Sequence, residues 1–300
     1  VILLSLISSV VAFGIYGSYY DYDPIFGPTA ADFTFTLSEL PYYALLGVIC
    51  GVLGVIYARG FYGTVDLFKM LPAPRWVKPA IGGVIVGFIG MVIPEAIHVG
   101  YGYVQQSLTV EGVMEFSPWL LLAIPFARIV TTSLSVGSGG SGGIFGPGMV
   151  IGGMTGAIVW RVCQDLPGFP DQPGPVVIIA MIAMFGSIAH APLAMMLMVG
   201  EMTGNLALLA PAMVAVAVAT LLVGDNTIYS SQVDTRADST AHRHRFAFPL
   251  LNALPAQRAV SPLPVVSEGQ SVQAALDLLV AEGVTQGVVV DGDGKITGEV

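Results

Sequence analysis

Long apolar runs separated by short polar connections fill the first three quarters of the chain. The runs lie near residues 1–17, 41–58, 79–93, 119–135, 144–163, 175–199 and 206–223. Several of them are shorter than the roughly 20 residues that a straight membrane-spanning helix requires. Short segments interrupted by glycine and proline are typical of transporters with broken helices. The pattern therefore predicts an all-α polytopic membrane protein with broken, re-entrant helices over residues 1–230.

The pattern changes twice after residue 230. Residues 231–259 are polar and predict a linker, whereas residues 260–300 alternate as a small α/β segment. In that segment we expect a strand at 264–266, a helix capped by Ser271, a second strand at 287–290 and a turn at 291–294. The turn, Asp-Gly-Asp-Gly, lacks the length and the glutamate of a calcium-binding EF-hand loop.

Composition agrees with a membrane protein: 54% of the residues are hydrophobic and 10% are charged, whereas soluble chains carry about 25% charged residues. The net charge of -9 argues against nucleic acid as a partner. Basic residues follow two of the apolar runs, and these positions are Arg59, Lys69, Arg75 and Lys78, then Arg236, Arg243, Arg245 and Arg258. Positive charge favours the cytoplasmic side, so we expect both segments, and the C-terminal tail, to be cytoplasmic in a multi-pass protein of the cell membrane.

Neither end of the sequence reads as a boundary of a domain. The first run has no basic segment before it and no initiator methionine, so it does not resemble a signal peptide. We expect the chain to begin inside a helix and to stop inside the α/β segment. Cys50 and Cys163 lie in or beside apolar runs and predict neither a disulfide nor a metal site. No nucleophile–base constellation is apparent, and His242-x-His244 is the nearest approach to a metal pattern, so we expect neither an enzyme nor a bound cofactor.

One segment, residues 137–156, contains ten glycines and no charge inside the apolar part of the chain. Glycine weakens a helix and allows close approach of the backbone. A glycine loop that opens into a helix leaves N–H groups at the positive end of the helix dipole, where an anion is favoured. We therefore interpret this segment as an anion site. The alternative, helix packing through small residues, suits Gly148, Gly152 and Gly156 but not the five glycines before Ile144.

These residues resemble the CLC family of chloride channels and proton-coupled chloride antiporters. The sequence GSGGSGGIFGP resembles the family's GxFxP signature, and three further stretches resemble it in order and spacing. They are Pro94-Glu95 with Gly100-Tyr101-Gly102, the AHAPL and GEMTGN sequences at 189–193 and 200–205, and Asn226-Thr227-Ile228-Tyr229, which resembles the family's final membrane helix. Residues 260–300 resemble the first half of a cystathionine-β-synthase (CBS) domain.

The resemblance implies the second half of the family's inverted-repeat architecture and an anion site built from specific residues. These are Gly143, Ile144, Phe145, Gly146, Pro147 and Tyr229. In the family, the backbone N–H groups that correspond to Ile144 and Phe145 bind a central anion, and the hydroxyl that corresponds to Tyr229 completes the site. Neutral dipoles hold an anion firmly enough to enter and weakly enough to leave. The resemblance also implies chloride and protons as transported ions, a lipid bilayer and a homodimer.

Two family signatures are absent from this sequence: the GSGxP loop, which supplies a serine ligand, and the GREGP loop, which supplies the gating glutamate. We prefer an H⁺/Cl⁻ antiporter. The alternatives are a passive voltage-gated chloride channel and a transporter of another anion such as fluoride or nitrate. A third alternative places the function in a regulator that senses adenine nucleotides on a complete pair of CBS domains.

Four other polar residues receive structural interpretations. We expect Glu201 to lie at a helix end and His190 to form hydrogen bonds at a helix break. Glu95 is expected to cap a helix, and Arg128 to extend its side chain to the cytoplasmic face of the membrane.

Overall fold

The computed structural model describes residues 2–27, 33–233, 235, 238–239 and 263–300. The chain forms two compact units, Val1–Ser230 and Ser231–Val300. Most of the predicted linker 231–259 lies outside the described residues. So do its arginines and His242 and His244.

The first unit is helical. Its helices are α1 (Ile2–Tyr20), α2 (Leu40–Met70), α3 (Val77–Val92), α4 (Tyr101–Gln106), α5 (Val110–Glu115), α6 (Pro118–Gly137), α7 (Phe145–Cys163), α8 (Pro173–Ile188), α9 (Pro192–Thr203) and α10 (Leu209–Val223). Two 3₁₀ turns, Leu37–Glu39 and Pro94–Ala96, precede α2 and follow α3. Among the described residues, three segments are long and apolar enough to cross a membrane: Leu3–Tyr20, Leu37–Met70 and Pro118–Gly137. The shorter apolar helices are α3, α8, α9 and α10.

Helix α8 lies at the centre of this unit. All 16 of its residues are buried, as expected for a helix that is hydrophobic on every side. It packs against α2, α7, α9 and α10. The core of the unit is therefore organised around one short helix.

Glycines set the distance between α7 and α8. A Cβ atom on Gly152 would stand 2.6 Å from the carbonyl oxygen of Ala180, and one on Gly156 would stand 2.7 Å from that of Val176. The packing interpretation of the small residues in α7 is thus confirmed. Sequence analysis did not single out the equivalent contact of Gly51 in α2, where a Cβ would stand 3.0 Å from a carbonyl oxygen of α10.

The apolar run 175–199 is broken, as predicted. Helix α8 ends at Ile188 and α9 begins at Pro192. Between them His190 has a φ of 51°, and the Ala191 N–H donates to the Gly186 carbonyl at 3.1 Å. A non-glycine residue at positive φ is uncommon, and here it lets the chain change direction before the proline begins the next helix.

The expectation that residues 226–229 belong to a final helix is wrong for this structure. The described residues 224–233 contain no helix. Gly224 ends α10 with a φ of 54°. Beyond it, the Ile228 N–H donates to the Ile188 carbonyl at 3.0 Å, and the Tyr229 N–H donates to Oγ1 of Thr227 at 3.1 Å. These partners take the place of helical hydrogen bonds.

The second unit contains the predicted strand, helix and hairpin. They are β1 (Val265–Ser267), α11 (Val272–Glu282), β2 (Val288–Val290) and β3 (Ile296–Glu299). Strands β1 and β2 are parallel, whereas β2 and β3 are antiparallel with an irregular register at Val289/Val290.

Side-chain hydrogen bonds fix the ends of these elements. Ser271 caps α11 by accepting the Ala274 N–H at 3.3 Å, which confirms the prediction. In the turn, Oδ1 of Asp291 accepts the N–H groups of Asp293 and Lys295 at 3.0 and 2.9 Å. The core remains small, because only Ala275 and Leu279 of the apolar positions in α11 are buried.

Candidate anion site

The predicted anion-binding sequence forms the N-terminal end of α7. Residues 138–144 lead out of α6 without regular structure, and α7 begins at Phe145. Gly139 has a φ of 101°, which L side chains rarely adopt. The first helical bond joins the Gly148 N–H to the Ile144 carbonyl at 3.2 Å. The N–H groups of Phe145 and Gly146 precede that bond and are left for another acceptor, whereas Pro147 has no N–H.

The loop and the first turns of α7 carry no ionisable side chain of their own. The sequence has no ionisable side chain from Ile129 to Trp160. The loop glycines before Ile144 are small and partly or fully exposed, whereas Gly148 and the positions that follow it through Ala157 are buried. Within residues 129–160, backbone dipoles are therefore the source of positive potential.

Tyr229 reaches this region through a stack of aromatic rings. The centroids of Phe145 and Phe185 are 4.8 Å apart with an interplanar angle of 78°. Phe185 and Tyr229 follow at 6.3 Å and 87°. Both pairs have the edge-to-face geometry that aromatic rings prefer. The structure thus brings Gly143–Pro147 and Tyr229 into one region, with Phe185 between them, a residue that sequence analysis did not identify.

Two tyrosines of α2 contact the backbone on either side of the aromatic stack. Tyr57 is fully buried, and its Oη donates to the Ile144 carbonyl at 3.1 Å. Tyr62 Oη donates to the Ile228 carbonyl at 2.8 Å and accepts the Ser230 N–H at 2.8 Å. Neither tyrosine is among the residues predicted for the site. They are two of the four tyrosines of α2, and their partners lie more than 80 positions away.

A cavity of 210 Å³ opens on another side of the α7 N-terminus. Gly142, Gly143 and Pro147 line it on one side, and polar residues that include Arg128 and Thr131 line it on another. Gly143 and Pro147, both predicted site residues, therefore face this space.

Arg128 does not extend to the membrane surface, so that expectation is wrong. Its side chain is 1% exposed. Nε donates to the Glu95 carbonyl at 3.1 Å, Nη2 to that of Ile97 at 2.8 Å, and Nη1 to those of His98 and Val99 at 2.8 and 3.3 Å. A guanidinium presents five N–H donors in a fixed plane, and four backbone carbonyls of residues 95–99 accept from it here.

Glu95 does not cap a helix, which corrects the second expectation about this segment. The residue at the N-cap of the 3₁₀ turn is Ile93, and that of α4 is Gly100. Neither cap involves a side-chain hydrogen bond. Instead, the main-chain carbonyl of Glu95 is one of the acceptors of Arg128.

Comparison with known proteins identifies the helical unit. A family model described as "Voltage gated chloride channel" matches residues 1–224, a range that ends before Tyr229. The H(+)/Cl(-) exchange transporter ClcA of Yersinia pestis is 34% identical over 201 residues, which cover 65% of this chain and 42% of the relative. The chloride channel protein CLC-f of Arabidopsis thaliana is 31% identical over 232 residues, which cover 73% of this chain and 29% of the relative.

Solved structures give the same result for the fold. A slow cyanobacterial Cl⁻/H⁺ antiporter matches with a TM-score of 0.56 and 26% identity, over 65% of this chain and 46% of the other. A eukaryotic CLC transporter matches with a TM-score of 0.54 and 18% identity, over 90% of this chain and 59% of the other. The chain thus aligns with less than two thirds of the length of these relatives.

Proposed function

The chain belongs to the voltage-gated chloride channel family, and we propose that it contributes the central anion site of an H⁺/Cl⁻ antiporter. In this proposal the N–H groups of Ile144 and Phe145, at the N-terminus of α7, bind a partly dehydrated chloride ion. The hydroxyl of Tyr229 is the third donor. Gly143, Gly146 and Pro147 give the backbone the shape that presents these groups.

The observation that carries the proposal is the junction of the α7 N-terminus with the Phe145–Phe185–Tyr229 stack. A helix N-terminus supplies N–H donors and positive potential without a fixed cation. A lysine or arginine in the same place would bind the anion too tightly for transport. The names of the relatives, which include exchange transporters of H⁺ and Cl⁻, support chloride and protons as the transported ions.

A passive chloride channel is the second candidate function. CLC-f, which matches 73% of this chain, is named a chloride channel protein. The anion site that we propose serves either mode, because it binds the anion and does not itself contain a proton carrier. Transport of fluoride or nitrate is a further alternative. Competition between chloride and each of these ions for the same N–H donors distinguishes this alternative from chloride transport.

We extend the proposal to the assembly and to the second unit. The protein works as a homodimer in the cell membrane, with Ser231–Val300 on the cytoplasmic side. The parallel β1–β2 pair joined by α11, followed by antiparallel β3, supports assignment of this unit to part of a CBS domain. An adenine nucleotide on a complete CBS pair is the ligand to test, by titrating the full-length protein with ATP.

Chloride efflux from liposomes tests the proposed function. Full-length protein is reconstituted into liposomes loaded with potassium chloride, and a potassium ionophore is added in a low-chloride bath. We expect rapid chloride efflux at a chloride electrode. Efflux no faster than from protein-free liposomes would contradict the proposal.

A further inference from the structure

Helix α2 binds the backbone of both halves of the candidate anion site through Tyr57 and Tyr62. Tyr57 donates to the Ile144 carbonyl. Tyr62 bridges the Ile228 carbonyl and the Ser230 N–H, the two groups that flank Tyr229. The two tyrosines are five residues apart, which is about 7.5 Å along a helix axis. A single rigid element therefore contacts both halves of the site.

The contact with Ile144 acts on a proposed anion donor. The Ile144 carbonyl and the Phe145 N–H belong to one planar trans peptide group, so they point in opposite directions. A hydrogen bond that fixes the direction of the carbonyl consequently fixes the direction of the N–H. The carbonyl also accepts the Gly148 N–H at 3.2 Å. Two donors on one carbonyl polarise the amide and make its N–H a stronger donor.

The contact with residues 228–230 acts on the proposed tyrosine ligand. Tyr62 holds the peptide groups on both sides of Tyr229, and the Ile228 N–H is held in turn by the Ile188 carbonyl at 3.0 Å. This segment has no helix to hold it. The direction of the Tyr229 side chain is thus set by tertiary hydrogen bonds, of which Tyr62 makes two.

We infer that Tyr57 and Tyr62 are positioning residues of the anion site, which fix the Phe145 N–H and the Tyr229 hydroxyl relative to each other through α2. This inference rests on the proposed chloride site. Neither positioning residue is required to touch the anion.

Chloride titration of tyrosine-to-phenylalanine variants tests the inference. Tyr57→Phe and Tyr62→Phe each remove one hydroxyl from full-length protein. Tyr43→Phe is the matched control: Tyr43 lies on the same helix, is 1% exposed, and donates to the carboxylate of Glu39 at 3.0 Å. Calorimetry gives the Kd for chloride, and thermal unfolding gives the stability.

We expect Tyr57→Phe and Tyr62→Phe to weaken chloride binding roughly three- to tenfold, the loss that corresponds to one hydrogen bond. Tyr43→Phe should lower the unfolding temperature and leave the Kd unchanged. Should Tyr57→Phe fail to fold, Tyr62→Phe decides the question. Wild-type Kd values in the folded variants would overturn the inference alone. An absence of saturable chloride binding by the wild-type protein would overturn the proposed site instead.

Discussion

Replacing the backbone amide of Phe145 by an ester removes the N–H that we place in the anion site. The α-hydroxy analogue of phenylalanine, incorporated at that position, keeps the aromatic ring and its 4.8 Å contact with Phe185. The ester therefore removes one N–H donor and makes the Ile144 carbonyl a weaker hydrogen-bond acceptor. Since the Phe145 N–H precedes the first helical bond of α7, its loss breaks no hydrogen bond of the helix ladder.

The expected magnitude comes from the charge of the acceptor. A hydrogen bond to a charged group contributes about 1.5–3 kcal/mol, whereas one between neutral groups contributes about 0.5–1.5 kcal/mol. At 1.4 kcal/mol for each factor of ten, the ester at Phe145 should weaken chloride binding by about 10- to 100-fold. Calorimetric titration of full-length protein with chloride measures this change.

The chain contains its own control, because the sequence Ile-Phe-Gly-Pro occurs at both 25–28 and 144–147. The Phe26 N–H donates to the Met202 carbonyl at 2.8 Å, so an ester at Phe26 removes a bond between neutral groups. We expect that ester to lower stability and to leave the chloride Kd unchanged. If the ester at Phe145 also left the Kd unchanged, the assignment of this N–H to the anion site would be refuted.

Three further predictions concern the framework around the site. Arg128→Lys should lower the free energy of unfolding by about 1.5–3 kcal/mol or more, because an ammonium has three donors and cannot match four carbonyls. An unchanged thermal unfolding temperature would contradict the role assigned to the guanidinium. Gly152→Ala should destabilise the protein by about 1–3 kcal/mol, because the new Cβ would meet a carbonyl oxygen of α8 at 2.6 Å. Gly87→Ala is the control and should be neutral or slightly stabilising, because its Cβ would meet nothing within 4 Å. Equal effects of the two substitutions on unfolding would count against the packing described. Ser271→Ala should destabilise α11 by about 1 kcal/mol and accelerate hydrogen exchange of the Ala274 amide. Unaltered exchange would argue against the cap.

Much of the fold could be predicted because it depends on local patterns. The apolar runs predicted the helices, His190 and Pro192 marked the break before α9, and Ser271 marked the start of α11. The packing role of Gly152 and Gly156 also followed from their spacing, since residues four apart share a helix face.

The errors arose where a partner distant in sequence decides the outcome. Arg128 was expected to reach the membrane surface because it lies early in an apolar helix, yet the backbone of residues 95–99 provides four acceptors. Residues 226–229 were expected to be helical, but Tyr62 and Ile188 hold their backbone.

Some residues of the candidate site were identified from the sequence, and others were not. Gly143–Pro147 and Tyr229 were identified through family resemblance, and their role as ligands stays a prediction. Phe185, Tyr57 and Tyr62 were not identified. Their importance depends on contacts across the α2, α7 and α8 packing, which no spacing rule along one helix reveals.

The central claim, coupled transport of chloride and protons, is tested most directly by the reversal potential of the current in a pH gradient. Full-length protein is placed in a planar bilayer with a fixed chloride gradient, and the pH of one chamber is changed in steps. An antiporter predicts that the reversal potential moves away from the chloride equilibrium potential as the pH gradient grows. A reversal potential that stays at the chloride equilibrium value at every pH would contradict the account and favour the passive channel.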